Sequence, residues 1–148
     1  MAGHVTEPPA PARDGAAGAE TLVRRVLVIE DDPSMSALLT FLLERQGYAV
    51  TVAGDGRQAF SLIDGTSPPE LVVLDMMLPY RAGLEVIAHM RARESWAAVP
   101  IVVLSAQTDE ESVVCALDAG AADYVVKPFR PEELVARVRR AVRAPRTP

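Results

Sequence analysis

The chain has 148 residues, 49% of them hydrophobic and 24% charged, with a formal net charge of −5. That is enough material for one globular core and too little for two domains of ordinary size. The acidic balance argues against a nucleic-acid surface, which needs Lys and Arg to neutralise phosphates, and no apolar run approaches the length of a bilayer span.

Residues 1–22 are rich in Ala, Pro and Gly without an apolar period, so they predict a disordered tail. The run Arg25–Glu30 (RVLVIE) is short, β-branched and continuously apolar, the pattern of a strand covered on both faces. A helical period follows, with Met35, Leu38, Leu39 and Leu42 on one face, opened by Pro33 and closed at Gly47. Ala49–Ala53 reads as a weaker strand, and Ala59, Leu62 and Ile63 mark a second helix. Glu70–Asp75 (ELVVLD) is another buried strand, followed by a helix with Leu84, Ile87 and Met90 inward. Trp96 lies in the next loop and is expected to cover one end of the sheet. Pro100–Ser105 (PIVVLS) predicts the fourth strand; Val113 or Val114 with Leu117 mark the fourth helix, closed at Gly120. Ala122–Val126 is the fifth strand, and Leu134, Val135, Val138 and Val142 mark the fifth helix, opened by Pro131. Arg137, Arg139, Arg140 and Arg143 form its solvated face, and residues 144–148 a flexible end.

Five strand–helix units with short connections predict an α/β domain over residues 23–143, with an open, doubly wound parallel sheet of five strands and five helices. In such sheets ligands bind beyond the C-terminal strand ends. The chain places its reactive residues there. Glu30 and Asp31 end the first strand, Asp75 the third and Ser105 the fourth, while Lys127 follows the fifth. Clustered acids repel one another unless a cation sits among them; two charges ~4 Å apart cost about 4 kcal/mol at an effective dielectric of 20. Hard carboxylate oxygens suit Mg²⁺, which often completes its coordination with a phosphate. Lys127 supplies a second positive point and Ser105 a hydrogen-bond donor. Together these residues describe phosphoryl transfer to a carboxylate, with metal and lysine neutralising the charge on the transferring group.

The segments VLVIEDD, LVVLDMMLPYRAGLEV, PIVVLSA and GAADYVVKPF resemble the receiver domain of bacterial response regulators, over about residues 24–143. The resemblance implies a flavodoxin-like strand order 2-1-3-4-5, an order known for a chemotaxis member of this family. It implies that Asp75 is the aspartyl-phosphate acceptor and that Asp31 is a direct Mg²⁺ ligand. Glu30 would act mainly through a metal-bound water, and the backbone carbonyl of Met77 would complete the coordination. Lys127 would contact the phosphoryl group and precede a cis peptide bond to Pro128. Pro79 and Gly83 match the turn after the acceptor. Ser105 and Tyr124 would form the switch: the hydroxyl moves toward the phosphoryl oxygen, Tyr124 turns inward, and the face of the fourth helix, fifth strand and fifth helix repacks. Moving a population from 1:99 to 99:1 requires about 5.5 kcal/mol. A charge-assisted hydrogen bond of roughly 1.5–3 kcal/mol together with a lysine contact could reach it.

The partners implied are a histidine kinase or phosphotransfer protein and a downstream protein on that repacked face, with a homodimer as one form of contact and no direct nucleic-acid or membrane contact. The location implied is cytoplasmic, in keeping with a single cysteine and an N-terminus without a signal-peptide pattern. The protein would be a phosphoacceptor assisting its own phosphorylation and dephosphorylation rather than an enzyme acting on an external substrate. Val113 stands where receivers attached to winged-helix domains usually carry a basic residue, and Ala122 where an acid is common, although Asp123, Glu133 and Arg137 remain. With Cys115, read as a packing residue, this suggests a more apolar contact face. Tyr80–Arg81–Ala82 lacks the usual glycine and acid, and Asp32 has no fixed role beyond that of a surface acid. Neither His4 nor His89 has the surroundings of a phosphohistidine site. Two alternatives stay open: a phosphorylation-independent pseudo-receiver, and an aspartate-nucleophile phosphohydrolase, which would want its nucleophile at the end of the first strand.

Overall fold

The computed structural model describes residues 23–78, 82–106 and 110–145. The expected tail over residues 1–22, the last three residues of the expected flexible end, and Pro79, Tyr80 and Arg81 lie outside the described residues. Ten elements alternate strictly: β1 (Arg24–Ile29), α1 (Pro33–Arg45), β2 (Tyr48–Ala53), α2 (Gly56–Gly65), β3 (Leu71–Asp75), α3 (Gly83–Arg91), β4 (Ile101–Ala106), α4 (Glu110–Asp118), β5 (Asp123–Lys127) and α5 (Pro131–Arg143). All strand pairs are parallel and the sheet order is β2-β1-β3-β4-β5.

The continuous apolar runs of β1, β3 and β4 follow from burial on both faces. Alternate side chains serve two cores. Leu27, Ile29, Val72, Leu74, Ile101 and Val103 pack with Ile63 of α2 and with Val86, Ile87 and Met90 of α3. Val26, Val28, Leu71, Val73, Val102 and Leu104 pack with Leu39 and Leu43 of α1 and with Leu134 and Val138 of α5. Burial of each such side chain contributes about 1.5–3 kcal/mol, which is how short strands of low intrinsic stability hold together.

The helix faces are in part rotated from the expected ones. Leu38 is 39% exposed and Leu84 38%, whereas Leu43 and Val86 are fully buried. In α4 the difference is larger: Val114 and Leu117 face solvent, and Ala116 is the buried residue. Gly47 and Gly120 end α1 and α4 as expected, with φ of 94° and 113° in the left-handed region that favours glycine. At Gly120 a side chain would also meet Arg91, whose Nε lies 2.9 Å from where a Cβ would stand. Arg91 donates to the carbonyls of Ala97 and Val99 (3.0 Å each) and of Gly120 (2.8 Å), tying the end of α3 to both loops at the sheet's N-terminal edge.

Trp96 covers that same edge and is 1% exposed, its indole N–H donating to the Thr66 carbonyl at 3.3 Å. Trp96→Ala leaves a large cavity and an unpaired carbonyl. It is expected to cost about 3–5 kcal/mol in urea unfolding, with the site at the opposite edge unaffected.

Candidate functional site

Strand register decides what meets at the C-terminal edge. Ile29 lies opposite Leu74, so Glu30, one residue on, comes beside Asp75. Asp75 is opposite Leu104, and Ala106 is opposite Lys127. Carboxylate oxygens of Glu30, Asp31 and Asp75 lie within 4.8 Å of one another. Glu30 and Asp75 are buried and Asp31 is exposed, giving the cluster a closed floor and an open mouth. Lys127 Nζ stands 3.3 Å from Asp75 Oδ2 and 3.9 Å from Glu30 Oε1. The Lys127–Pro128 peptide is cis.

The loops hold these groups in place. Asp75 Oδ1 accepts from the Met77 N–H at 3.0 Å, and the Met76 carbonyl accepts from the Gly83 N–H at 3.1 Å. A Cβ on Gly83 would sit 2.8 Å from the Met76 backbone, so glycine is what allows the end of β3 and the start of α3 to touch. Ser105 is 2% exposed. Tyr124 is partly buried and packs against the core beneath α3 and α4, two strands from the β3 that carries Asp75.

Three carboxylates face one ammonium group, an imbalance that calls for a cation. Among the described residues two buried atoms, Glu30 Oε1 and Ser105 Oγ, have no hydrogen-bond partner. A buried polar atom without a partner costs roughly 1–3 kcal/mol, so both are readily explained as ligand-facing atoms. An all-oxygen donor set with one open side fits Mg²⁺ and fits poorly to softer metals. Burial pushes the Glu30 carboxyl up to about 7, helped by the neighbouring Asp75 charge and opposed by the Asp32 N–H and Lys127. A raised carboxyl pKa means that, without metal, this group's contribution to stability is lost as pH rises through about 7. Metal binding then competes with a proton on Glu30. Mg²⁺ affinity measured by calorimetry is expected to be about tenfold weaker at pH 6 than at pH 8, and Glu30→Gln should flatten that dependence.

Every expected site residue among the described ones reaches this edge, except that Tyr124 sits behind it in the core. One role was missed. Asp32 caps α1, its Oδ1 accepting from the Ser34 N–H at 3.1 Å, and its own N–H donates to Glu30 Oε2 at 3.1 Å. An Asp directly before the Pro that opens a helix was the available signal. On the neighbouring face Asp123 is buried, held by Arg137 at 3.0 Å and Arg140 at 2.9 Å, and Arg137 also meets Glu133 at 3.1 Å. These charges are thus paired within the chain. Among the described residues no helix is long and apolar enough to cross a membrane.

Comparison with known proteins gives a consistent picture. The family model described as response regulator receiver domain matches residues 26–139. The DNA-binding response regulator MtrA of Mycolicibacterium smegmatis is 47% identical over 124 residues, which is 84% of this chain and 53% of the relative. The transcriptional regulatory protein KdpE of Mycobacterium tuberculosis is 44% identical over 118 residues, 80% of this chain and 50% of the relative. The chain thus spans about half the length of the curated relatives it matches. The receiver domain of the sensor histidine kinase PA1611 from Pseudomonas aeruginosa superposes with a TM-score of 0.74 at 31% identity, covering 83% of this chain and all of that one, and holds a magnesium ion in its active-site cleft.

Proposed function

The chain belongs to the response regulator receiver domain family, and from that premise we propose that Asp75 accepts a phosphoryl group from a histidine kinase or phosphotransfer protein. The observation that carries the reading is the meeting of Asp75 Oδ2 with Lys127 Nζ at 3.3 Å beside two more acids and the unpartnered Ser105 hydroxyl. An Asp75 carboxylate oxygen attacks phosphorus. The bond from phosphorus to the donor's imidazole nitrogen breaks, and its electron pair stays with the imidazole. Glu30, Asp31, Asp75 and the Met77 carbonyl would hold Mg²⁺, which when bound neutralises charge on the transferring group. Lys127 Nζ and the Ser105 hydroxyl supply positive charge and a donated hydrogen bond to the phosphoryl oxygens.

The phosphoryl group then draws the Ser105 hydroxyl toward it, and Tyr124 follows by turning inward. The α4-β5-α5 surface repacks, altering its fit to a downstream protein or a second copy. Two features support that surface as the mobile one: α4 buries only Ala116 among its described side chains, and Tyr124 is half-buried against the core beneath it. The protein assists its own phosphorylation and dephosphorylation and turns over no external ester. Residues 23–143 form the unit that does this, in a cytoplasmic setting. Acetyl phosphate with Mg²⁺ tests the proposal: intact mass should rise by one phosphoryl group, and peptide mapping should place it on Asp75. A phosphoryl group on another residue would reject it.

A further inference from the structure

We infer that Asp32 is a positioning residue for the metal site, acting through Glu30 by fixing the turn between β1 and α1. The inference rests on the metal reading above and goes beyond it, since Asp32 belongs to neither the cluster of three acids nor the phosphoryl contacts.

Three polar groups of Asp32 are committed to this turn. Its side-chain Oδ1 accepts from the Ser34 N–H at 3.1 Å, its carbonyl accepts from the Ser36 N–H at 2.9 Å, and its N–H donates to Glu30 Oε2 at 3.1 Å. Pro33 has no N–H to offer and a fixed φ, so the cap falls to Asp32 alone. The consequence appears on Glu30. One oxygen is held by the Asp32 N–H, and the other, Oε1, is buried, without a partner, and 3.9 Å from Lys127 Nζ. A carboxylate anchored at one oxygen cannot rotate freely, so its free oxygen stays directed at the cluster. Asp31, flanked by these two residues, has its backbone fixed by the same bonds. Without the side-chain cap, the Asp32 backbone is free to leave the extended geometry (φ −85°, ψ 117°) that aims its N–H at Glu30.

The test compares Asp32→Ala, which removes the cap, with Asp32→Asn, which keeps a capping oxygen and removes the charge. Asp55→Ala is the control, because it removes the equivalent α2 cap, where Asp55 Oδ1 accepts from the Gln58 N–H at 2.9 Å. Calorimetric Mg²⁺ affinity is expected to fall about 10-fold in Asp32→Ala and to stay close to wild type in the other two. In metal-free protein, the residue-32 amide should lose protection from hydrogen exchange in Asp32→Ala and keep it in Asp32→Asn. Equal weakening in Ala and Asn variants would show that the charge matters and not the cap, and would overturn the inference. So would equal weakening in Asp55→Ala, or unchanged amide protection in Asp32→Ala. Failure of the unsubstituted protein to bind Mg²⁺ would instead overturn the metal reading, while the exchange measurement would still decide whether Asp32 positions Glu30.

Discussion

Asp75→Asn is expected to take up no phosphoryl group from acetyl phosphate or a phosphorylated kinase, while folding as well as the unsubstituted protein or better. The amide has nearly the same shape and still presents an oxygen to the Met77 N–H, which now approaches Asp75 Oδ1 at 3.0 Å. It has no negative oxygen with which to attack phosphorus. It also removes one of the charges that push Glu30 up to about 7, so the acid cluster is less strained without metal. The two effects therefore have opposite signs: labelling disappears completely and the thermal midpoint holds or rises. Phosphate-affinity gels and thermal denaturation on one preparation read both. Residual labelling with a normal midpoint would move the acceptor to Glu30 or Asp31.

Lys127→Ala carries the second large effect, again with two readouts that diverge. The ammonium lies 3.3 Å from Asp75 and 3.9 Å from Glu30, and no other cation is paired with either acid among the described residues. Removing it increases the negative charge of the cluster, so Mg²⁺ should bind at least as tightly as before. Removing it also deletes a positive group placed where phosphoryl charge must be accommodated. Losing one such preorganised contact typically costs about 100-fold or more in rate, and that is the expected loss in phosphorylation by acetyl phosphate. A simple structural lysine would give the reverse pattern, with destabilised protein, impaired metal binding and a near-normal rate once metal is saturating.

The sheet was legible because each central strand carries an unbroken run of four buried apolar residues, a pattern that burial on both faces explains. Reactive residues at the ends of those runs could be assigned to one edge before any register was known. The strand order could not be obtained that way and came from the family resemblance. Helix phase was less legible. Leu38 and Leu39 are equally apolar, and only the direction in which α1 leaves β1 decides that Leu39 is buried and Leu38 is 39% exposed. In α4 the buried position is Ala116, a small residue that no periodicity count favours over Val114 or Leu117. Arg91 and Arg25 were invisible for another reason. Arg91 bonds only to carbonyls, and Arg25 donates to the Pro68 carbonyl at 2.8 Å as well as to Ser67, so most of what they grip carries no side-chain signature. The family resemblance gives Asp32 no fixed role, and its backbone bond to Glu30 depends on a turn geometry that sequence does not specify.

The central claim is that acids from β1 and β3 share a divalent ion while Lys127 faces the phosphorylated oxygen side of Asp75. A crystal structure grown with Mg²⁺ and beryllium fluoride tests it most directly. The fluoride adduct is expected on an Asp75 oxygen, the ion among Glu30, Asp31 and Asp75, and fluorines within hydrogen-bond reach of Lys127 Nζ and Ser105 Oγ. An adduct on another carboxylate, or Lys127 turned away from a bound adduct, would contradict it.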